Sequence, residues 1–204
     1  MKFDEWVDQL RAELPLQDII QIASAKMQDA HGESLRNFAL GLKWLLVEAG
    51  RDLEALAMLD EMIVQFPDDV LLSISRASLY FYYLERPQDA LRSIDFALER
   101  AYRSGFFRRE ALGVKARILL QLGRGEQLSD VLEQIMALQI IKDIPDVGRE
   151  RDFVDRAPAG LIRADVLARY NQFRPKRPGD TTADGPPEYE PPDDADVPRV
   201  PAER

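Results

Sequence analysis

The chain has 204 residues, of which 46% are hydrophobic and 31% are charged, and its formal net charge at pH 7 is -9. This composition is enough for one sizeable core, and the excess of acids argues against a protein that binds nucleic acid through phosphate contacts. The chain has no cysteine, which excludes disulfides, thiolate metal sites and cysteine catalysis and favours a cytoplasmic location.

The amino-terminal part predicts two helices, over residues 3–14 and 16–30, with Pro15 between them. Its acidic start is unlike a signal peptide, and no apolar run in the chain reaches the roughly 18 residues of a membrane span, so we expect no membrane insertion. His31 precedes Gly32 at the expected end of the second helix, where an imidazole can cap free carbonyl groups. It is the only histidine, so zinc and Ser-His-Asp sites lack their usual residues.

Three pairs of amphipathic helices are predicted next. Apolar residues at spacings of three and four indicate a helix over residues 35–49, and Gly50 follows at the C′ position. A second apolar stripe begins at Leu53 and ends before Pro67. Two further pairs follow, with helices over residues 71–84 and 89–102, and over 109–123 and 127–141. No segment shows the alternation of a strand, so the predicted fold is all-α, and each short connection implies an antiparallel pair.

After the third pair, residues 143–159 contain two prolines and alternating charges, which predicts an extended loop. Its acids lack the glycine spacing of a calcium loop and alternate with arginines, so we expect a solvated segment and no metal site. They are Asp143, Asp146, Glu150, Asp152 and Asp155. A closing helix is predicted over residues 160–173. Residues 174–204 hold eight of the thirteen prolines and few large apolar groups, which predicts a disordered acidic tail; the alternative is that this tail is a flexible acidic docking arm. We therefore expect one helical domain, 1–173, and a tail, 174–204.

The second helices of the three pairs align numerically. Ala55, Ala90 and Leu128 take equivalent places at steps of 35 and 38 residues, close to the roughly 34-residue period of a tetratricopeptide repeat. The chain resembles that family in its small, large, small positions and in the proline that ends a second helix, Pro67. The matched positions in the first two units are Ala55, Leu59 and Met62, then Ala90, Ile94 and Ala97.

The first helices of the pairs resemble the family's packing ladder, from which Lys43 and Lys115 depart. The ladder is matched by Ala39, Leu42, Lys43 and Leu46, then by Ile74, Ala77, Ser78 and Phe81, and then by Leu112, Lys115, Ala116 and Leu119. The resemblance implies a right-handed α-solenoid of helix hairpins with capping helices at both ends, and repeats over about 36–70, 71–105 and 109–142.

Apolar residues beyond this ladder suggest a binding surface. In tetratricopeptide proteins the first helices line a concave groove that holds a segment of a partner, and the resemblance carries that role to matched positions here. These are Asn37, Leu40, Trp44, Leu72, Ser75, Leu79, Tyr82, Tyr83, Gly113 and Arg117. The alternative is that the closing helix or an amino-terminal helix fills the groove. Families that clamp a terminal carboxylate use lysine and asparagine there, whereas only Arg117 fits in this chain.

The function expected from these features is a non-catalytic adaptor that binds an apolar or amphipathic segment of another protein, without a cofactor. A secretion-type chaperone that holds cargo is one alternative, and a structural subunit of a homodimer is another. An enzyme on this scaffold would need a cluster of perturbed acids, and the sequence singles none out.

Overall fold

The computed structural model describes residues 3–101, 105–142 and 148–173. These residues form ten α-helices and no strand, which confirms the all-α class. The helices are α1 (Phe3–Arg11), α2 (Leu16–Gln28), α3 (Gly32–Glu48), α4 (Asp52–Gln65), α5 (Val70–Tyr82), α6 (Pro87–Arg100), α7 (Gly105–Gln121), α8 (Gly125–Lys142), α9 (Gly148–Val154) and α10 (Ala164–Phe173).

The helices pack mainly in chain order, as consecutive antiparallel hairpins. Each helix from α2 to α8 contacts the one before it. Further contacts join helices two apart: α1 with α3, α5 with α7, α7 with α9, and α8 with α10. Among the described helices, none combines the length and the apolar character that a membrane span requires.

The turns between the paired helices share a positive-φ residue and the first hydrogen bond of the second helix, but they close differently. Each turn has a residue with positive φ: Gly50 (69°), Glu85 (51°) and Gly123 (66°). An arginine follows in every case, and its carbonyl oxygen accepts a hydrogen bond of 3.0 or 3.1 Å from a backbone N–H four residues on. Those donors are Ala55, Ala90 and Leu128, the residues that align in the sequence. The positive-φ residues of the three turns are therefore 35 and 38 residues apart, the same steps that separate the aligned residues of the second helices. The N–H of the arginine, in contrast, bonds five residues back at Arg51 and Arg124 and six residues back at Arg86.

The apolar core has two clusters, and α5 contributes to both. The amino-terminal cluster contains residues of α1 to α4 together with Leu72 and Leu79 of α5. The carboxy-terminal cluster contains Val70, Ile74 and Ala77 of α5 and continues through α6 to α10. Because α5 is apolar around most of its circumference, it is covered on both sides.

The first helix is held on α3 by aromatic rings. Phe3, Trp6 and Phe38 meet edge to face, with ring centroids 5.5 to 5.9 Å apart. The ring of Phe3 lies directly over Gly41, where a Cβ would stand 2.3 Å from its Cδ1 atom. Glycine at this position allows the two helices to approach each other closely.

The other end of the described chain packs on α8. Val166 and Tyr170 of α10 are fully buried in the carboxy-terminal cluster. The turn before α10 lies against the start of α8, because a Cβ at Gly125 would stand 1.9 Å from the carbonyl oxygen of Leu161.

Two local predictions were wrong. Residues 148–154 form α9, although an extended loop was expected over 143–159. His31 does not cap the end of α2, which stops at Gln28; it is the exposed N-cap residue of α3, and its side chain makes no capping hydrogen bond. The predicted tail, 174–204, lies outside the described residues.

Candidate binding face

Three aromatic side chains are unusually exposed on the first helices of the first two repeats. Trp44 of α3 is 54% exposed, and Tyr82 and Tyr83 at the end of α5 are 47% and 43% exposed. All three belong to the predicted groove. Aromatic side chains bury a large area when a partner covers them, so exposed ones mark a candidate binding surface. Trp44 lies on α3, Tyr82 on α5 and Arg117 on α7, and we call these first-helix positions together the α3–α5–α7 face.

The structure brings Tyr82 together with Arg117, the predicted groove cation. Nη1 of Arg117 on α7 donates a hydrogen bond of 2.9 Å to the phenol oxygen of Tyr82. The Tyr82 ring also packs edge to face against Phe81, with centroids 4.7 Å apart. These contacts link the last turn of α5 to α7 and hold the Tyr82 ring in one orientation.

The other predicted groove residues differ in exposure. Asn37 is exposed and Leu40 is half-buried. Leu72 and Leu79 are almost completely buried in the amino-terminal cluster, and Ser75 is only 7% exposed. In this conformation these three side chains offer little surface to a partner.

The α7 part of the face is covered by α9. Both guanidinium end nitrogens of Arg109 donate to the carboxylate of Glu150, and the Nη1 bond is 2.9 Å long. A Cβ at Gly113 would stand 3.2 Å from Oε1 of Glu150. The guanidinium of Arg117 lies 5.8 Å from the ring centre of Phe153. Thus α9 covers the predicted position Gly113, whereas α10 packs on α8.

The sequence predicts Glu150 as one acid of a solvated loop, but the structure corrects this, since its side chain is only 2% exposed and is paired with Arg109. The sequence signal for α9 was the spacing of Glu150, Phe153 and Val154, which places them on one side of a short helix. That signal spans a single turn, which is too short to be read reliably.

Lys43 is a buried cation at the edge of this face. Its side chain belongs to α3, the residue is 5% exposed, and its Nζ lies 3.5 Å from the ring centre of Trp44. Burial lowers the pKa of the Lys43 ammonium from its ordinary 10.5 to about 8. The sequence marked Lys43 only as a departure from the packing ladder.

A separate cleft of about 510 Å³ lies between α2 and α4, over α3. Three of the five methionines line it, Met27, Met58 and Met62, and its rim carries the Arg51–Glu54 ion pair. Methionine side chains adapt their shape to irregular apolar ligands. This cleft is not evident from the sequence, because its lining comes from three helices and their connections.

The described residues contain no cluster of histidines and acids that could hold a metal ion.

No protein-family model matches the chain, and no curated protein or solved structure gives a significant match.

Proposed function

We propose that this chain is a non-catalytic adaptor that binds an apolar or amphipathic segment of another protein on the α3–α5–α7 face. The exposure of Trp44, Tyr82 and Tyr83 carries this proposal. Aromatic residues are enriched at the energetic centres of protein interfaces. Covering these rings would remove apolar surface from water and so favour binding.

We also propose that the hairpins form a right-handed, tetratricopeptide-like solenoid, whose first helices line the binding groove. The recurrence of the turns at Gly50, Glu85 and Gly123 supports this arrangement. So do the contacts of α1 with α3 and of α5 with α7, which join first helices of successive hairpins. The proposed location is the cytoplasm, on the basis of the cysteine-free composition.

A peptide-display selection on the full chain tests the binding function. Random peptides are selected on the wild type and on the double variant Trp44→Ala/Tyr82→Ala. The matched control is Leu53→Ala/Val64→Ala, which removes two other exposed apolar side chains from α4. We expect peptides with apolar anchors to be enriched by the wild type and by the control, and to be lost with the aromatic pair.

Two other outcomes would assign the function elsewhere. A further variant, Met58→Glu, places a charge in the methionine-lined cleft. If this variant loses the selected peptides and Trp44→Ala/Tyr82→Ala keeps them, the peptides bind in the cleft. Sedimentation at nanomolar concentration separates an adaptor from a structural subunit, because a permanent homodimer remains dimeric there. A stable dimer that the Trp44→Ala/Tyr82→Ala variant abolishes would replace the adaptor proposal with the homodimer alternative.

A further inference from the structure

Lys43 differs from the other covered cations of this protein in its partners. Three partly buried arginines each meet a carboxylate: Arg36 with Asp69, Arg76 with Asp60, and Arg109 with Glu150. Lys43 is buried, yet within the described ranges no carboxylate pairs with it, and burial is the cause of its lowered pKa. Its Nζ instead lies over the ring of Trp44, as a cation–π contact.

The Trp44 ring compensates only part of the cost of burying the Lys43 ammonium. A cation over an aromatic face is stabilised, but burying a charge that has no counter-ion costs more free energy than this contact returns. Burial lowers the pKa of the Lys43 ammonium, in keeping with the absence of a carboxylate partner among the described residues. A carboxylate that reached Nζ would supply the missing charge and a charge-assisted hydrogen bond.

Although Lys43 as a residue is only 5% exposed, its Nζ is not among the described side-chain nitrogens that are both enclosed and without a hydrogen bond, so the ammonium itself keeps contact with solvent. Nζ lies against the ring of Trp44, which is 54% exposed, so the cation is next to an aromatic anchor of the α3–α5–α7 face. A segment that covers Trp44 would therefore lie beside the ammonium. It would also exclude water there, which strengthens an ion pair.

We propose that the partner segment carries an aspartate or glutamate side chain next to its apolar anchor, and that this carboxylate pairs with Lys43. This inference rests on the proposed function and adds the chemical class of the partner. Lys43 then acts as the residue that selects among apolar segments, because a segment without the acid leaves the buried ammonium unpaired.

The test uses peptides from the display selection, synthesised with amidated carboxyl termini so that a side chain is their only source of carboxylate. Each acidic peptide is compared with its Glu→Gln or Asp→Asn counterpart on the full-length wild type and on Lys43→Met. Methionine keeps the length of the side chain and removes the charge, and a melting curve verifies that the variant is folded. The control is Lys26→Met, which removes an exposed lysine whose Nζ lies 5.7 Å from the Trp6 ring centre.

We expect loss of the peptide's acid to weaken binding to the wild type and to Lys26→Met about tenfold or more. The same loss should change binding to Lys43→Met by less than about threefold, because the two deletions remove one shared interaction. Peptides that bind equally well with and without their acid would overturn the inference and leave the proposed function intact. The same conclusion would follow if only peptides with a free carboxyl terminus bound. If the wild type enriches no peptide that depends on Trp44 and Tyr82, the proposed function and this inference both fail.

Discussion

Arg109 and Glu150 are separated by 41 residues in the sequence and meet through two hydrogen bonds on the surface of α7. The side chain of Arg109 is 13% exposed and that of Glu150 is 2% exposed. This pair attaches α9 to the face on which Arg117 contacts Tyr82. The contact therefore sets how much of the α7 part of that face is open.

Glu150→Ala should destabilise the chain by about 3 kcal/mol, because it removes a buried carboxylate that accepts hydrogen bonds from both end nitrogens of Arg109. The double variant Arg109→Met/Glu150→Met should recover most of the loss, since an apolar pair carries no desolvation cost. Urea unfolding measures both values. The control is Glu48→Ala, which removes the exposed pair with Arg11 and should cost less than about 1 kcal/mol. Equal losses for Glu150→Ala and Glu48→Ala would contradict the buried contact.

Gly41→Ala should change the stability in opposite directions in two backgrounds. In the wild type the added Cβ meets the ring of Phe3 at 2.3 Å, so α1 must move and the free energy of unfolding should fall by about 1–3 kcal/mol. In a Phe3→Ala background the ring is absent. There the same change should raise the free energy of unfolding by about 1 kcal/mol, because alanine favours a helix more than glycine. A double-mutant cycle by chemical denaturation measures the difference, and the same sign in both backgrounds would show that Phe3 does not limit this position.

Lys43 should make the stability depend on pH above neutrality. The folded-state pKa of its ammonium is lowered to about 8 from an ordinary 10.5, so between these values the unfolded chain holds a proton that the folded chain has released. Stability should therefore rise with pH through this window, by about 1 kcal/mol between pH 7 and pH 9. Lys43→Met should be more stable than the wild type at pH 7, and its advantage should shrink as the pH rises. Unfolding curves at pH 7, 8, 9 and 10 measure this advantage, and a constant value would mean that Lys43 titrates at its ordinary pKa.

Glu85→Gly should stabilise the chain, although it removes a side chain. Glu85 has a φ of 51°, where an L-residue with a Cβ is strained, and the equivalent positions are Gly50 and Gly123. We expect a gain of about 0.5–1 kcal/mol after the greater freedom of glycine in the unfolded chain is included. The reciprocal change, Gly123→Glu, should cost about 1–2 kcal/mol, since open space surrounds its Cβ position and only backbone strain is added. Thermal melts of the two variants should shift in opposite directions; shifts of the same sign would contradict the backbone argument.

Features set by the local backbone were predictable from the sequence. Gly50 takes the C′ position after α3, with hydrogen bonds from its own N–H to Val47 and from the N–H of Arg51 to Leu46, as a glycine stop requires. The second helix of that pair ends just before Pro67, as expected. The turn at Glu85 has a positive φ without a glycine, and its closing hydrogen bond, from the N–H of Arg86 to Tyr80, spans six residues instead of five. Only its alignment with Gly50 therefore indicates the shared positive φ.

Features set by distant contacts were not predictable. The resemblance to tetratricopeptide proteins places Leu72 and Leu79 in the same groove as Trp44, but both are buried because α5 has neighbours on two sides. The partner of Glu150 lies on α7, and nothing near Glu150 in the sequence indicates it. The burial of Lys43 likewise depends on helices that pack around α3, so the sequence shows only an irregular position in a ladder.

The double role of α5 also determines how the protein should lose its structure. Solenoids often melt from their ends, repeat by repeat, because each unit contacts only its neighbours. Here one helix supplies Leu72 and Leu79 to one cluster and Ile74 and Ala77 to the other. If either cluster unfolds, the other loses the packing of α5 on one side, so both should unfold in a single cooperative transition. The backbone amides of α5 should then be the last in the chain to exchange with deuterium, because they are released only when the whole domain unfolds.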